Sequence, residues 1–247
     1  MSFPHTIYGK FGDEKETSTS KRRALGTVLE LPDGRQFKYA LNGGSGVTSG
    51  KLVASKVMVA NHDMDLVTAV TAAGSQTVTV TLGNTATTLN QYQDGYLYTN
   101  DGTGEGQIYR IKSNPVASGN ATCEITLDDN DKIAVALDGT TLSGLLENPY
   151  NEVVVSPTSV TCRTVGVTAT DLAASEYGYV QTKGLASVLV SGTVVAGEHL
   201  RVAGATTAGA AMALDRDGSG ENEQEIGVVH NVVAVTTDYC LAFLNID

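Results

Sequence analysis

The chain has no tryptophan, four phenylalanines and five prolines in 247 residues. With ten tyrosines as its main aromatic supply, it is a poor source of the stacking platforms that sugar clefts use. Cysteine is scarce as well: Cys123, Cys162 and Cys240 are odd in number, far apart and contain no CxxC pair. That excludes a disulfide framework and a zinc-ribbon spacing. Each cysteine lies in a β-like apolar run, so we expect three reduced, buried thiols in a protein folded in a reducing compartment. No apolar stretch approaches the ~20 residues of a membrane helix. Residues 1–21 are polar with no apolar run, so neither a secretory signal nor a membrane partner is expected. Positive charge is short: 16 Lys and Arg face 27 Asp and Glu, for a net charge of −11. A nucleic-acid partner is not expected at that balance.

The deficit is uneven. Residues 1–60 carry nine basic against five acidic side chains, about +4, and the remainder seven against twenty-two, about −15. Such asymmetry marks either an arm whose partner differs from that of the body or a repulsive, solvated surface.

What the chain has in excess is glycine (27), threonine (30) and valine (28). β-formers and turn-formers without helical charge patterning predict an all-β protein, with sandwich or barrel-type domains, an extended N-terminal arm and little helix. Residues 1–22, with Asp13-Glu14-Lys15-Glu16-Thr17-Ser18-Thr19-Ser20-Lys21-Arg22, have no apolar periodicity and are expected to be disordered when unbound. Leu25, Val28, Leu29 and Leu31, then Pro32-Asp33-Gly34-Arg35, then Phe37, Tyr39 and Leu41 predict a hairpin within a 23–60 connector. Residues 52–60 fit a short helix or a strand.

Strands are predicted at 66–72, 77–82, 95–99, 107–112, 122–127 and 133–137. Thr77-Val78-Thr79-Val80-Thr81 is strict alternation, valines inward. A break between Asn148 and Pro157 closes a 61–157 block, either an independent domain or an insertion into a sheet closed by the two ends. A 158–247 domain follows, with strands at 159–165, 177–182, 186–190, 199–202, 226–235 and 239–244. Hints of a helical turn fall at 171–176 and 208–214.

Catalytic chemistry finds little footing. Gly43-Gly44-Ser45-Gly46-Val47 fails the nucleophile-elbow pattern at its last position. None of His5, His62, His199 and His230 lies beside a Ser or Cys nucleophile. Asp215-Arg216-Asp217-Gly218-Ser219-Gly220 starts like a calcium loop, but its twelfth position is Ile226 where a bidentate Glu belongs. An exposed acidic loop is the expectation there, and a turn at Asn61-His62-Asp63-Met64-Asp65. Asp101-Gly102-Thr103-Gly104-Glu105-Gly106 is glycine-rich but acidic and between strands, so it is not expected to hold phosphate. Asn120-Ala121-Thr122 is a glycosylation sequon only in a secreted chain. We expect no enzyme, no cofactor and no metal.

Asn42-Gly43-Gly44 through Gly50-Lys51-Leu52, Asn61-His62, 77–83, 92–98 and 104–111 are similar to structural proteins of tailed-phage virions. Gly178-Tyr179-Val180-Gln181-Thr182-Lys183-Gly184, Ala196-Gly197-Glu198-His199-Leu200, Ile226-Gly227 and Thr236-Thr237-Asp238-Tyr239-Cys240-Leu241-Ala242-Phe243-Leu244 resemble the β-rich domain of head decoration (cement) proteins. The likeness covers most of residues 23–247 and rests on glycines and strands. It implies a protein assembled in the host cytoplasm that binds the outside of the virion capsid. The implied partners are the major capsid protein and further copies of this chain, expected as a trimer. It brings no catalytic residues with it. Lys10, Lys15, Lys21, Arg22 and Arg23 are the candidate capsid contacts, with the acidic remainder facing solvent. The alternative is a fibre or spike module that binds a host-surface glycan.

Overall fold

The computed structural model describes residues 5–159, 161–202, 207–214, 224–235 and 237–246. Among them the protein is all-β, with a single 3-10 turn at Asp13–Lys15 as its helix. Among the described residues no helix is long and apolar enough to cross a membrane. The chain forms two compact units, 1–57 with 149–247, and 58–148. Breaks read at 61 and 157 move to 58 and 148. The reason is pairing: Val154 and Val155 bond back to Ala54 and Val53, which ties residues after 148 to the first unit.

The first unit begins with β1 (Thr6–Tyr8), β2 (Val28–Glu30), β3 (Gln36–Leu41) and β4 (Leu52–Ala54). β2 and β3 are the expected hairpin. Gly34 takes the left-handed φ of +81° that its turn requires, and the Asp33 carboxylate accepts the Arg35 N–H and Nε–H. Leu29 and Phe37 pair across it, both buried. β4 takes three residues of the ambiguous 52–60 stretch, and the helical alternative is not realised.

The second unit contains β5 (Leu66–Val67), β6 (Thr77–Thr81), β7 (Tyr96–Asp101), β8 (Ile108–Ser113), β9 (Thr122–Leu127) and β10 (Leu142–Leu146). Their order is β5-β10-β7-β8-β9-β6, and a bridge from Thr68 to Val80 brings the outer strands together into a nearly closed barrel. Strand alternation fills it: Val78, Val80, Leu97, Ile111, Ile125 and Leu127 point inward. Residues 133–137 are not a strand. Ile133 and Leu137 are buried there, but Leu137 alone makes a bridge, to Thr71.

Asp138 clamps two loops of this unit. Its carboxylate accepts the Thr103 hydroxyl at 2.6 Å and both the hydroxyl and the N–H of Thr140, at 2.7 and 2.9 Å. Those bonds, Thr103 first, hold its carboxyl down at about 2. A carboxyl lowered in the folded state adds stability that is complete above its ordinary value near 3.8 and is lost as pH falls through about 2. The Thr140 amide should therefore titrate with a midpoint near 2 in an NMR pH series, and Thr103→Val should move that midpoint up towards 3.8. A midpoint that ignores the substitution would refute the clamp.

The rest of the first unit is β11 (Val154–Val155), β12 (Thr164–Thr168), β13 (Tyr177–Leu189), β14 (His199–Val202), β15 (Ala211–Ala213), β16 (Glu225–Val229) and β17 (Tyr239–Asn245). One sheet runs β1-β2-β3-β13-β17-β16-β14-β15, with β12, β4 and β11 branching from β13. The strands expected at 177–182 and 186–190 are one thirteen-residue strand, bent where the register slips between Gln181 and Lys183 and where Gly184 takes φ +87°. The strand expected at 159–165 lies instead at Thr164–Thr168. Neither helical hint survives. Residues 171–176 form a turn after the Leu172–Val47 bridge, and Ala211–Ala213 is a strand because it pairs with β14.

The arm is the largest correction. Instead of an extended disordered tail, β1 runs parallel to β2 and Ser18 bridges Tyr177. Ile7 packs on the Leu25, Leu29 and Phe37 cluster. Long-range partners supply the order that local sequence lacks. The cysteines need a smaller one. Cys123 and Cys240 are buried, and burial pushes the Cys240 thiol up to about 11, but Cys162 is half-exposed before β12.

Candidate interaction surface

The five basic residues expected to meet a partner are strung along the ordered arm. Lys10 is exposed and its N–H bonds the Asp13 carboxylate at 3.0 Å. Lys15 ends the 3-10 turn and is exposed, as is Lys21. The last two are tied to the body of the unit, Arg22 through its backbone and Arg23 through its side chain. The Arg22 N–H donates to the Tyr39 hydroxyl at 3.0 Å, and its guanidinium lies 4.0 Å from Glu16. Arg23 donates to the Tyr179 hydroxyl at 2.5 Å and sits 5.9 Å from that ring's centre. Tyr39 stacks on Tyr177 and meets Tyr179 edge-on, so three tyrosines form the bed on which the arm is fastened. Burial pushes the Tyr179 phenol up, opposed by the Arg23 charge.

Beside the arm lies a cavity of about 460 Å³, walled by Lys15, Arg35, Gly50, Gln181, Leu185 and Tyr239 among others. Glu14 also reaches it and is almost fully buried. Its carboxylate accepts the Gly12 N–H at 2.6 Å and lies 3.8 Å from Arg35. Gly50 is required at its position. A β-carbon there would come within 2.6 Å of the Tyr239 ring, and φ is +75°.

From Leu185 and Tyr239 the surface continues as an apolar row. β17 turns Cys240, Ala242 and Leu244 inward and leaves Tyr239, Leu241 and Phe243 outward, at 43%, 40% and 51% exposure. Leu185 stands opposite Phe243 on β13, and the His230 ring meets Phe243 edge-on at 5.6 Å. Three large apolar side chains of the strand thus face water as a contiguous row, which marks an interaction surface. Sequence reading placed this strand without seeing its outer face as a site. The signal was present, because a run apolar at both parities reads as a strand covered on both faces.

The remaining candidates resolve differently. Asn61-His62-Asp63 is the expected turn, and His62 is fully buried within it. One ring nitrogen contacts the Tyr92 hydroxyl at 2.6 Å and the other donates to the Thr85 carbonyl at 2.9 Å. Both nitrogens are thus occupied. His199 pairs with Glu225 on the surface. Residues 215–223 of the calcium-loop candidate fall outside the described residues. Among those described, no three His, Cys, Asp or Glu side chains gather as a metal site. No protein-family model, curated protein or solved structure matches this chain.

Proposed function

We propose that this chain is a structural virion protein that binds the outer surface of a phage capsid and stabilises it, acting as a homo-oligomer, most simply a trimer. The resemblance of most of residues 23–247 to head decoration proteins supports the reading, and so does an acidic all-β body with an ordered basic arm. The observation that carries it is the outward row of Tyr239, Leu241, Phe243 and Leu185 in the middle of a sheet, a face suited to burial against protein. Function on this reading is mechanical. Each copy bridges neighbouring capsid subunits, and linked copies gain avidity of roughly 10²–10⁴ without one strong interface. An arm already fastened by Arg23 and the tyrosines has been ordered during folding, so less conformational entropy is lost at docking.

The test is the copy number of the chain in purified virions, by quantitative mass spectrometry against the major capsid protein. A ratio of one per capsid subunit, or a simple fraction such as one third, is the expected result. A handful of copies would favour a fibre or spike module, and absence from virions would overturn the reading.

A further inference from the structure

We propose that the cavity beside the arm is a docking slot in which an extended peptide carrying a carboxylate adds as a strand to the open edge of β13 at Leu185–Ser187. The inference does not depend on the capsid reading.

The edge is open because β13 loses a neighbour partway along. β3 flanks it only as far as Lys183, opposite Gln36, where the chain has just come out of the Asp33-Gly34 turn. β17 flanks its other side from Lys183 to Leu189. In this stretch the odd-numbered residues turn their peptide groups away from β17. The carbonyls of Lys183 and Leu185 accept the Gln181 side-chain amide at 3.1 and 2.9 Å, and the Leu189 N–H reaches the Gly50 carbonyl at 2.8 Å. Leu241, opposite Ser187, likewise turns its own groups to the far side, accepting from the His230 N–H and donating to Asn231.

The N–H groups of Leu185 and Ser187 and the carbonyl of Ser187 therefore face the cavity. Among the described residues nothing bonds them. An unpaired strand edge is a template for another strand. This one is capped by Gln181 at one end and Gly50 at the other, which fixes its length at two to three strand residues, ~7–10 Å. Its volume of about 460 Å³ falls in the range of ligand sites.

The walls choose the peptide. The Arg35 charge is already met by Asp33 at 2.7 Å and by Glu14. Lys15 has no carboxylate within salt-bridge reach among the described residues, so its ammonium is left to the occupant. Leu185 and Tyr239 supply apolar contact for the side chains that alternate with the acid.

The experiment titrates the full-length protein with the peptide acetyl-Thr-Val-Glu-Val-Thr-amide and reads backbone amides by NMR and hydrogen exchange. In the free protein the Leu185 and Ser187 amides should exchange fast while those of Ala186 and Val188, bonded to β17, exchange slowly. Saturating peptide should slow Leu185 and Ser187 at least about tenfold, with a Kd on the order of 0.1–1 mM. Lys15→Glu, an exposed change that leaves the fold intact, should weaken binding by about fivefold or more. No protection at millimolar peptide, protection at the outer edges β1 or β15 instead, or equal binding of a backbone N-methylated peptide would each overturn strand addition. Equal binding of the glutamine analogue would overturn the acidic occupant.

Discussion

On the proposed capsid-binding role, Phe243→Asp should prevent attachment to capsids and assembly of the proposed oligomer while leaving the fold in place. Phe243 is half-exposed at the centre of the outward row, against Leu185 and the His230 ring, so the isolated chain loses little packing when it is replaced. In a bound state the same side chain would be desolvated by its partner. Central aromatic residues of that kind cost ~2 kcal/mol or more when removed, about 30-fold in affinity, and a buried carboxylate adds its own desolvation. Co-sedimentation with capsids lacking the protein, together with sedimentation velocity of the free protein, reads the two effects separately. Retention at wild-type levels with an unchanged oligomer would rule this face out as the contact. Leu241→Asp, one ladder step away, gives an independent check in case Phe243 also supports β16.

Leu97→Ala should cost the 58–148 unit about 2–5 kcal/mol, because Leu97 is fully buried in the barrel and the space it leaves cannot close completely. In a unit of this size that is a fall of roughly 10–25 °C in Tm. The other unit should not respond, since its clusters around Leu52, Val188 and Leu244, around Phe37 and Tyr179, and around Val53 and Val180 share no residue with the barrel core. Calorimetry should therefore resolve two transitions, of which one moves. A single transition shifting as a whole would mean that the two units fold as one cooperative body.

Much of the β framework was legible because its signals are local. Alternation alone places β6, and the Asp33-Gly34 turn alone places the β2–β3 hairpin. The gap between the strands expected at 177–182 and 186–190 contains Gly184. β13 passes through it unbroken, trading its β3 neighbour for β17 near Lys183. The arm was misread for the same reason. Nothing between residues 5 and 22 specifies a strand until β2, some twenty residues on, offers its edge. Of the candidate contact residues, sequence showed the charge of Arg23 but not its partner Tyr179, nor that Tyr39 would take the backbone N–H of Arg22, since both tyrosines come from distant strands.

By itself the sequence determined the all-β class, the turns and the inward parity of strands such as β6, because side-chain period and turn chemistry act over a few residues. Only the tertiary structure decided which strands are neighbours, and with that the fastening of the arm, the outward exposure of Phe243 and the open edge at Ser187. Those depend on pairing between segments up to 159 residues apart, as at Ser18 and Tyr177, where burial and backbone hydrogen bonding across the whole sheet outweigh any local preference.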